Sequence, residues 1–206
     1  CHHPHRRTLR LLDQYLAQKG TKPLAVVTDI DETVLDNSPY SVHQALKGKG
    51  YDDKSWIEWT AKAVADTVPG APSFFRYAAS KGVKVFYITN RLEAERAVTL
   101  KNLQHYGFPD ADDQHLLLKT TGSGKEPRRQ QVLQQYDIVL LFGDNLSDFS
   151  AIFDKKPFEE RNAAALQSAA SFGSRYIVLP NPMYGDWEGA LYNYQYKLTT
   201  QQKDSV

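Results

Sequence analysis

A short apolar run that ends in two aspartates is the feature that most constrains the fold of this 206-residue chain. Val26, Val27 and Ile30 are β-branched and predict a buried strand, and Asp29 and Asp31 come at its end. Ligands of open α/β sheets bind at the carboxyl ends of the strands. Two adjacent carboxylates also repel each other unless a cation or a proton lies between them. The run therefore predicts a sheet with a charged site at its edge, in preference to a structural acidic turn.

The rest of the chain alternates between helical and extended patterns. After a lead-in helix at about residues 8–19, strands are predicted at about residues 24–29, 83–89, 115–118, 138–142 and 176–179. Helices are predicted at about residues 73–82, 93–106 and 126–135. Strands separated by helices require crossover connections, so the predicted fold class is α/β, a central parallel sheet flanked by helices.

One segment breaks this alternation. No strand is predicted between about residues 36 and 69, where helical spacing of apolar residues predicts a small helical insertion after the first strand. The length of the chain suits one domain of ordinary size. We therefore predict a single domain over residues 1–206 that carries the insertion as a cap.

Composition excludes several classes of protein. The net charge of +1 gives no general attraction to a nucleic-acid polymer. No apolar run approaches the roughly 20 residues that span a bilayer. Cys1 is the single cysteine, so an intramolecular disulfide is impossible.

Polar residues lie where four of the predicted strands end, in residues 29–31, 89–91, 119–125 and 143–148. Because the carboxyl ends of parallel strands share one edge, these residues are expected to converge. Carboxylates suit Mg²⁺, whereas a hydroxyl, backbone amides and a lysine suit the oxygens of a phosphoryl group. Lys125, which follows a glycine-rich loop, is favoured over Lys119 for this task. The sequence predicts a site for a phosphoryl group and a hard cation.

The motifs also carry a family resemblance, above all DIDETVLDNSPY at residues 29–40 and VLLFGDNLSDF at residues 139–149. Shorter matches lie at residues 68–71, 89–91, 123–125 and 179–188. Over about residues 24–191 the sequence resembles the bacterial class C nonspecific acid phosphatases of the haloacid dehalogenase (HAD) superfamily. It departs from them at Thr28, where an aliphatic residue is usual. The resemblance implies a HAD-like fold with a small cap and a Mg²⁺-dependent phosphomonoesterase.

The resemblance implies a role for each matching residue. Asp29 would be the nucleophile that forms an aspartyl-phosphate, and Asp31 the general acid and base. The Mg²⁺ cofactor would be held by the Asp29 carboxylate, the Asp31 backbone carbonyl and Asp144, while Asp148 positions its waters. The phosphate would be held by Thr89, Lys125 and the backbone amide of Asn90.

Substrate preference would come from two aromatic residues. In the resembling family, aromatic side chains at the places of Trp56 and Tyr184 enclose a flat leaving group such as a nucleobase. Nucleoside 5′-monophosphates are therefore the expected substrates. The alternative is that Trp56 is core packing for the insertion, as we expect for Trp59 and Trp187.

Partners and location depend on Cys1. A mature bacterial lipoprotein begins with a lipid-modified cysteine, which would attach the protein to a membrane of the bacterial cell envelope. The alternative is an incidental start of the chain, and the sequence favours neither. A homodimer is a further partner hypothesis.

Four other functions compete with hydrolysis. A phosphotransferase of the same superfamily would use the same residues, whereas a dehalogenase would leave Asp31 without a task. A phospho-accepting receiver domain is shorter and has its acceptor on a later strand. A catalytically silent storage or binding protein, like the related plant storage proteins, would need a cause other than loss of Asp29.

Overall fold

A computed structural model of the chain describes residues 3–18, 20–195, 197–203 and 205. The hypothesis of a lipid on Cys1 lies outside the described residues. Among the helices that are described, none combines the length and the apolar character that crossing a membrane requires.

The described residues alternate between strands and helices along most of their length. The strands are β1 (Leu24–Thr28), β2 (Leu35–Asp36), β3 (Asp66–Thr67), β4 (Lys84–Leu92), β5 (Leu116–Lys119), β6 (Asp137–Gly143) and β7 (Tyr176–Val178). The helices are α1 (His3–Leu16), α2 (Ser38–Leu46), α3 (Asp53–Thr60), α4 (Ala71–Ser80), α5 (Arg96–His105), α6 (Glu126–Leu133), α7 (Phe158–Gln167), α8 (Asp186–Leu191) and α9 (Thr200–Lys203).

Five of the strands form one parallel sheet in the order β5-β4-β1-β6-β7. Side chains alternate between its two faces, as the period of a strand requires. Val26 of β1 packs into one apolar cluster with Leu12, Phe75 and other residues, whereas Val27 packs into a second cluster on the opposite face. Both faces are therefore buried under helices, and the predicted α/β fold with a parallel sheet is confirmed.

The chain after β1 first builds one half of the sheet, through β4 and β5, and then crosses to β6 and β7 on the other side. The strand order thus reverses beside β1, and such a switch point leaves a crevice at the carboxyl ends of the strands. The amide of Asp29 donates to the carbonyl oxygen of Phe142 at 3.0 Å, which extends the β1–β6 pairing up to this crevice. The predicted nucleophile therefore lies where the topology opens the sheet.

The insertion, residues 36–69, contains α2 and α3 but also a short strand. Leu35 and Asp36 of β2 pair in antiparallel fashion with Thr67 and Asp66 of β3. The prediction that residues 36–69 contain no strand is wrong, because strands of two residues are too short to show a periodic pattern. This pair brings the two ends of the insertion together.

Further differences concern helices. The helices α7, α8 and α9 were not predicted, although two acidic residues in the first turn of α7, Glu159 and Glu160, are usual signs of a helix start. Trp187, which was expected in the core, is 38% exposed in α8.

Candidate active site

Three carboxylates meet at the carboxyl ends of β1 and β6. Asp29, Asp144 and Asp148 each offer one oxygen, and these oxygens lie within 4.8 Å of one another. Asp29 and Asp148 are almost completely buried, and Asp144 is partly buried. Residues more than a hundred positions apart in sequence are thus brought together by the parallel sheet, as the strand-end pattern predicts.

Lys125, at the start of α6, places its ammonium group among these acids. Its Nζ contacts Oδ1 of Asp29 and lies 2.6 Å from Oδ1 of Asp148. Burial alone would lower the pKa of Lys125, but the charges of Asp148 and Asp29 outweigh it and raise that pKa. Lys125 is therefore charged, and it balances one of the three neighbouring carboxylates.

Burial and the remaining negative charge shift the pKa values of the acids themselves. Burial raises the pKa of Asp29 well above its ordinary value, against the attraction of Lys125 and with a further increase from Asp148 and Asp144. Burial, followed by the charge of Asp148, raises the pKa of Asp144 to about 7. A divalent cation among these oxygens would relieve the repulsion, so the donor set fits a hard metal ion such as Mg²⁺.

Neighbouring amides and hydroxyls orient Asp144. Nδ2 of Asn181 donates to its Oδ2 at 2.8 Å, and Nδ2 of Asn145 donates to the same oxygen at 3.2 Å. Thr33 donates to Oδ1 at 3.4 Å. Asn181 lies in the loop after β7, so this loop helps to hold a residue that ends β6.

Asp148 is held by the turn that follows β6. The turn is a short 3-10 helix, Leu146–Asp148, and Oδ2 of Asp148 accepts the backbone amide of Asn145 at 2.9 Å. Gly143 makes room for this arrangement, because a Cβ at that position would overlap the Asp148 side chain. The two acids are therefore brought together by a tight turn.

Asp31, the predicted general acid, belongs to a separate group of contacts. Nη2 of Arg91 lies 2.7 Å from its Oδ1, and Nε of Arg91 lies 3.1 Å from Oδ1 and 3.2 Å from Oδ2. Nδ2 of Asn37 also donates to Oδ1, at 2.9 Å. Asp31 is therefore held in one orientation by Arg91, one of the polar residues expected at this edge, and by Asn37, to which sequence reasoning gave no role in the site.

Arg91 is itself fixed. Its side chain is buried, and Nη1 donates to the hydroxyl of Thr99 at 3.1 Å. Burial would lower the pKa of Arg91, but the charge of Asp31 outweighs this effect and raises it. The guanidinium carbon also lies 5.8 Å from the ring centre of Trp56, so Arg91 connects Asp31 with the insertion.

The predicted phosphate ligands occupy two different positions. Asn90 is exposed and lines a cavity of about 330 Å³ together with Asp29, Lys125 and other residues. Thr89 is completely buried, is not among the described residues that line this cavity, and accepts the backbone amide of Arg91 at its hydroxyl. The role of Thr89 in phosphate binding stays a prediction.

Arg128 of α6 connects the groups predicted to bind phosphate. Its Nη2 donates to Oδ1 of Asn90 at 2.8 Å and to the carbonyl oxygen of Gly124 at 3.2 Å, and its Nη1 donates to the carbonyl oxygen of Thr89. The end of β4 and the loop before Lys125 are thereby held together. Nothing in the sequence distinguishes Arg128 from an ordinary arginine on the surface of a helix.

A second cavity, of about 770 Å³, adjoins the first. Asp31, Asn90 and Tyr184 line both cavities, and Trp56 lines the larger one. Trp56 is only partly buried and packs edge-on against Tyr40, with 5.3 Å between ring centres. The two residues predicted to enclose a substrate thus face one space.

Tyr184 also contacts the loop that follows β1. Its hydroxyl donates to Oε2 of Glu32, and the backbone amide of Asn37 donates to Oε1 at 2.9 Å. Burial, followed by the charge of Asp31, raises the pKa of Glu32 to about 7. The loop after β7 is therefore held against the site at two points, because Asn181 contacts Asp144 and Tyr184 contacts Glu32.

Comparison with known proteins agrees with this architecture. The structure of the class C acid phosphatase from Bacillus anthracis with tungstate bound is 47% identical and superposes with a TM-score of 0.94, covering 98% of this chain and 85% of that one. Acid phosphatase 1 of Solanum lycopersicum is 30% identical over 166 residues, which are 77% of this chain. The class B acid phosphatase of Marinomonas sp. is 25% identical over 179 residues, 82% of this chain and 72% of that protein.

The match to the plant proteins is partial. The chain spans 57% of the length of the tomato enzyme, and the same share of the Stem 31 kDa glycoprotein of Glycine max, which is 30% identical over 161 residues. A family model described as HAD superfamily, subfamily IIIB (acid phosphatase) matches residues 7–187.

The fold and the site together define an α/β domain of the HAD type, so the predicted fold is confirmed. Within that class, the chain belongs to subfamily IIIB of the HAD superfamily, the acid phosphatase family. The likeness to the Bacillus anthracis structure supports the predicted resemblance to class C.

Proposed function

We propose that the chain is a Mg²⁺-dependent phosphomonoesterase that acts through an aspartyl-phosphate on Asp29. The observation that carries this proposal is the cluster of three carboxylate oxygens within 4.8 Å, with the ammonium group of Lys125 against Asp29. Such a cluster suits a cation and a phosphoryl group together. The tungstate of the Bacillus anthracis structure, a tetrahedral oxyanion like phosphate, supports the same ligand class.

In the first step, a carboxylate oxygen of Asp29 attacks phosphorus, and the bond from phosphorus to the ester oxygen breaks. Asp31 gives its proton to the departing oxygen, which leaves as an alcohol. Lys125 neutralises charge on the transferring group, and Asn90 faces the same cavity. Thr89 and Lys125 would hold the phosphate, as the resemblance implies.

In the second step, water attacks phosphorus, Asp31 takes a proton from that water, and the bond from phosphorus to the Asp29 oxygen breaks, which releases inorganic phosphate and restores the carboxylate. The residues that would hold Mg²⁺ are Asp29, Asp144, Asp148 and the backbone carbonyl of Asp31. When bound, Mg²⁺ supplies positive charge that offsets the charge on the phosphoryl oxygens.

Nucleoside 5′-monophosphates are the proposed substrates, with the base between Trp56 and Tyr184. Both side chains line the larger cavity, which adjoins the cavity of the carboxylates. Aromatic side chains stack on any base. Trp56→Ala and Tyr184→Ala are expected to lower kcat/KM for a nucleotide about tenfold, because each removes one stacking partner worth about 1–3 kcal/mol. Equal losses on glycerol 2-phosphate would contradict this assignment of the larger cavity.

We further propose one phosphatase domain with residues 36–69 as its cap, located at a bacterial cell envelope. The class B and class C relatives from bacteria support a bacterial origin. A lipid on Cys1 would attach the domain to a membrane. Mass spectrometry of the protein purified from membranes of its source would detect such a lipid, and an unmodified Cys1 would contradict the attachment.

The function is tested by hydrolysis of p-nitrophenyl phosphate and of adenosine 5′-monophosphate, with Mg²⁺ and with EDTA. Turnover is expected with Mg²⁺ in the wild type and is expected to vanish in EDTA and in Asp29→Asn. No turnover by the Mg²⁺-loaded wild type over a broad range of pH would favour a silent binding protein. Turnover only after addition of an acceptor alcohol would favour a phosphotransferase.

A further inference from the structure

Three side chains connect the insertion to the predicted general acid. Nε1 of Trp59, in α3, donates to Oδ1 of Asn37 at 2.8 Å, and Nδ2 of Asn37 donates to Oδ1 of Asp31 at 2.9 Å. Asn37 is only 1% exposed. Neither Trp59 nor Asn37 has a part in the mechanism proposed above, and sequence reasoning placed Trp59 in the core.

The chemistry of the indole group fixes the direction of this connection. An indole N–H can only donate, so the atom of Asn37 that faces Trp59 has to be the carbonyl oxygen. The amide nitrogen of Asn37 then has to face Asp31. If the amide were flipped, its NH2 group would face the N–H donor of Trp59 and its oxygen would face the acceptor oxygen of Asp31. Both hydrogen bonds would be lost, and buried polar groups without partners destabilise the folded state.

This direction distinguishes the two oxygens of Asp31. Oδ1 accepts from Asn37 at 2.9 Å and from Nη2 and Nε of Arg91 at 2.7 and 3.1 Å. Among the described residues, the single donor to Oδ2 is Nε of Arg91 at 3.2 Å. Oδ1 is thus occupied by donors, and Oδ2 is the oxygen with capacity for a further partner.

We propose that Trp59 is a positioning residue, which acts through Asn37 so that Asp31 exchanges its proton with the substrate through Oδ2. The proposal rests on the proposed phosphatase function. In the first step, Oδ2 gives its proton to the ester oxygen as that oxygen leaves phosphorus. In the second step, Oδ2 takes a proton from the attacking water.

The test compares two leaving groups in Trp59→Phe, which keeps most of the ring but removes the N–H donor. The phenolate of p-nitrophenyl phosphate is stable and leaves without a proton, whereas the alkoxide of glycerol 2-phosphate needs one. kcat/KM reports the steps up to departure of the alcohol, so hydrolysis of the phosphoenzyme does not contribute. General acid catalysis is typically worth roughly 10²–10⁴-fold. We expect kcat/KM to fall about tenfold for glycerol 2-phosphate and less than about twofold for p-nitrophenyl phosphate.

Matched variants separate positioning from a general loss of structure. Asn37→Leu keeps the shape of the side chain without its amide and is expected to show the same selective loss. Trp187→Phe makes the same chemical change at a tryptophan that is 38% exposed, and its ratio of the two kcat/KM values is expected to equal that of the wild type. Inhibition by inorganic phosphate, unchanged in all three variants, would show that the phosphate site is intact.

The outcomes lead to different conclusions. An unchanged ratio in Trp59→Phe, with or without an equal fall for both substrates, would overturn the positioning role. If Trp59→Phe does not fold, the ratio in Asn37→Leu decides the question by the same criterion. If the wild type hydrolyses neither substrate, the proposed function fails instead.

Discussion

Replacing Asp144 by Asn is expected to change the stability of the protein in opposite directions without and with metal. Burial and the charge of Asp148 raise the pKa of Asp144 from 3.8 to about 7. A carboxyl with a higher pKa in the folded state holds its proton more tightly there than in the unfolded chain. Without metal, the folded state therefore loses stability as the pH rises from about 4 to about 7, and this cost is complete above pH 7.

The size of the effect follows from the same difference. At roughly 1.4 kcal/mol per pKa unit, the rise from 3.8 to about 7 corresponds to about 4 kcal/mol as an upper limit. An amide fits the site, because its oxygen can accept from Asn181 and Asn145 and its nitrogen can donate to the hydroxyl of Thr33. Since Asp144 is partly exposed and its neighbours can relax, we expect a net gain of about 2 kcal/mol for Asp144→Asn. That gain corresponds to an increase of about 4–8 °C in Tm for a chain of this size.

The assay is thermal denaturation of the wild type and of Asp144→Asn, in EDTA and in saturating Mg²⁺. In EDTA at pH 8 the variant is expected to be more stable, and at pH 4 the difference is expected to disappear. With Mg²⁺ the wild type gains stability through binding, whereas the variant has lost a ligand and gains little. A variant that is less stable than the wild type in EDTA at pH 8 would refute the electrostatic argument. An equal Mg²⁺-induced rise in both proteins would refute the assignment of Asp144 as a ligand.

Two further substitutions test the support of the site. Gly143→Ala would overlap the Asp148 side chain, so thermal denaturation is expected to show a loss of about 2–3 kcal/mol. Gly122→Ala, where no described heavy atom lies within 4 Å of the added Cβ, is the control, and equal Tm values for the two variants would contradict the overlap. Asn181→Leu removes a donor to Asp144 and is expected to weaken Mg²⁺ binding roughly tenfold in calorimetry. An unchanged affinity would mean that Asn181 does not support the metal site.

The sequence predicts where the acids lie but not the hydrogen bonds that surround them. Asp29, Asp144 and Lys125 converge as predicted, because a parallel sheet brings the ends of its strands to one edge whatever the details of packing. The same reasoning cannot show where a side chain points within that edge. Thr89 is the last residue of a predicted strand, yet its side chain is completely buried.

Sequence patterns do not predict which side chains make contact when they are far apart in the chain. Trp59 and Asn37 are 22 residues apart, and their hydrogen bond depends on how α3 packs against the loop after β1. Arg91 reaches Asp31 over a separation of 60 residues. An aromatic residue at helical spacing predicts packing equally well whether or not its polar atom has a partner. The motif at residues 89–91 drew attention to Arg91, but nothing in the sequence assigned it a contact.

The pairing of β2 with β3 has a consequence for protein engineering. Because Leu35 lies opposite Thr67, the insertion at residues 36–69 leaves and re-enters the domain at neighbouring points. A longer or foreign segment could therefore replace it without distorting the sheet. A graft would, however, remove Trp59 together with most of the residues that line the larger cavity. A chimaera that keeps Asp29, Asp31, Asp144 and Asp148 would then still cleave phosphate esters of alkyl alcohols at a different rate from the parent. A graft that changes substrate specificity would therefore also change proton transfer by Asp31.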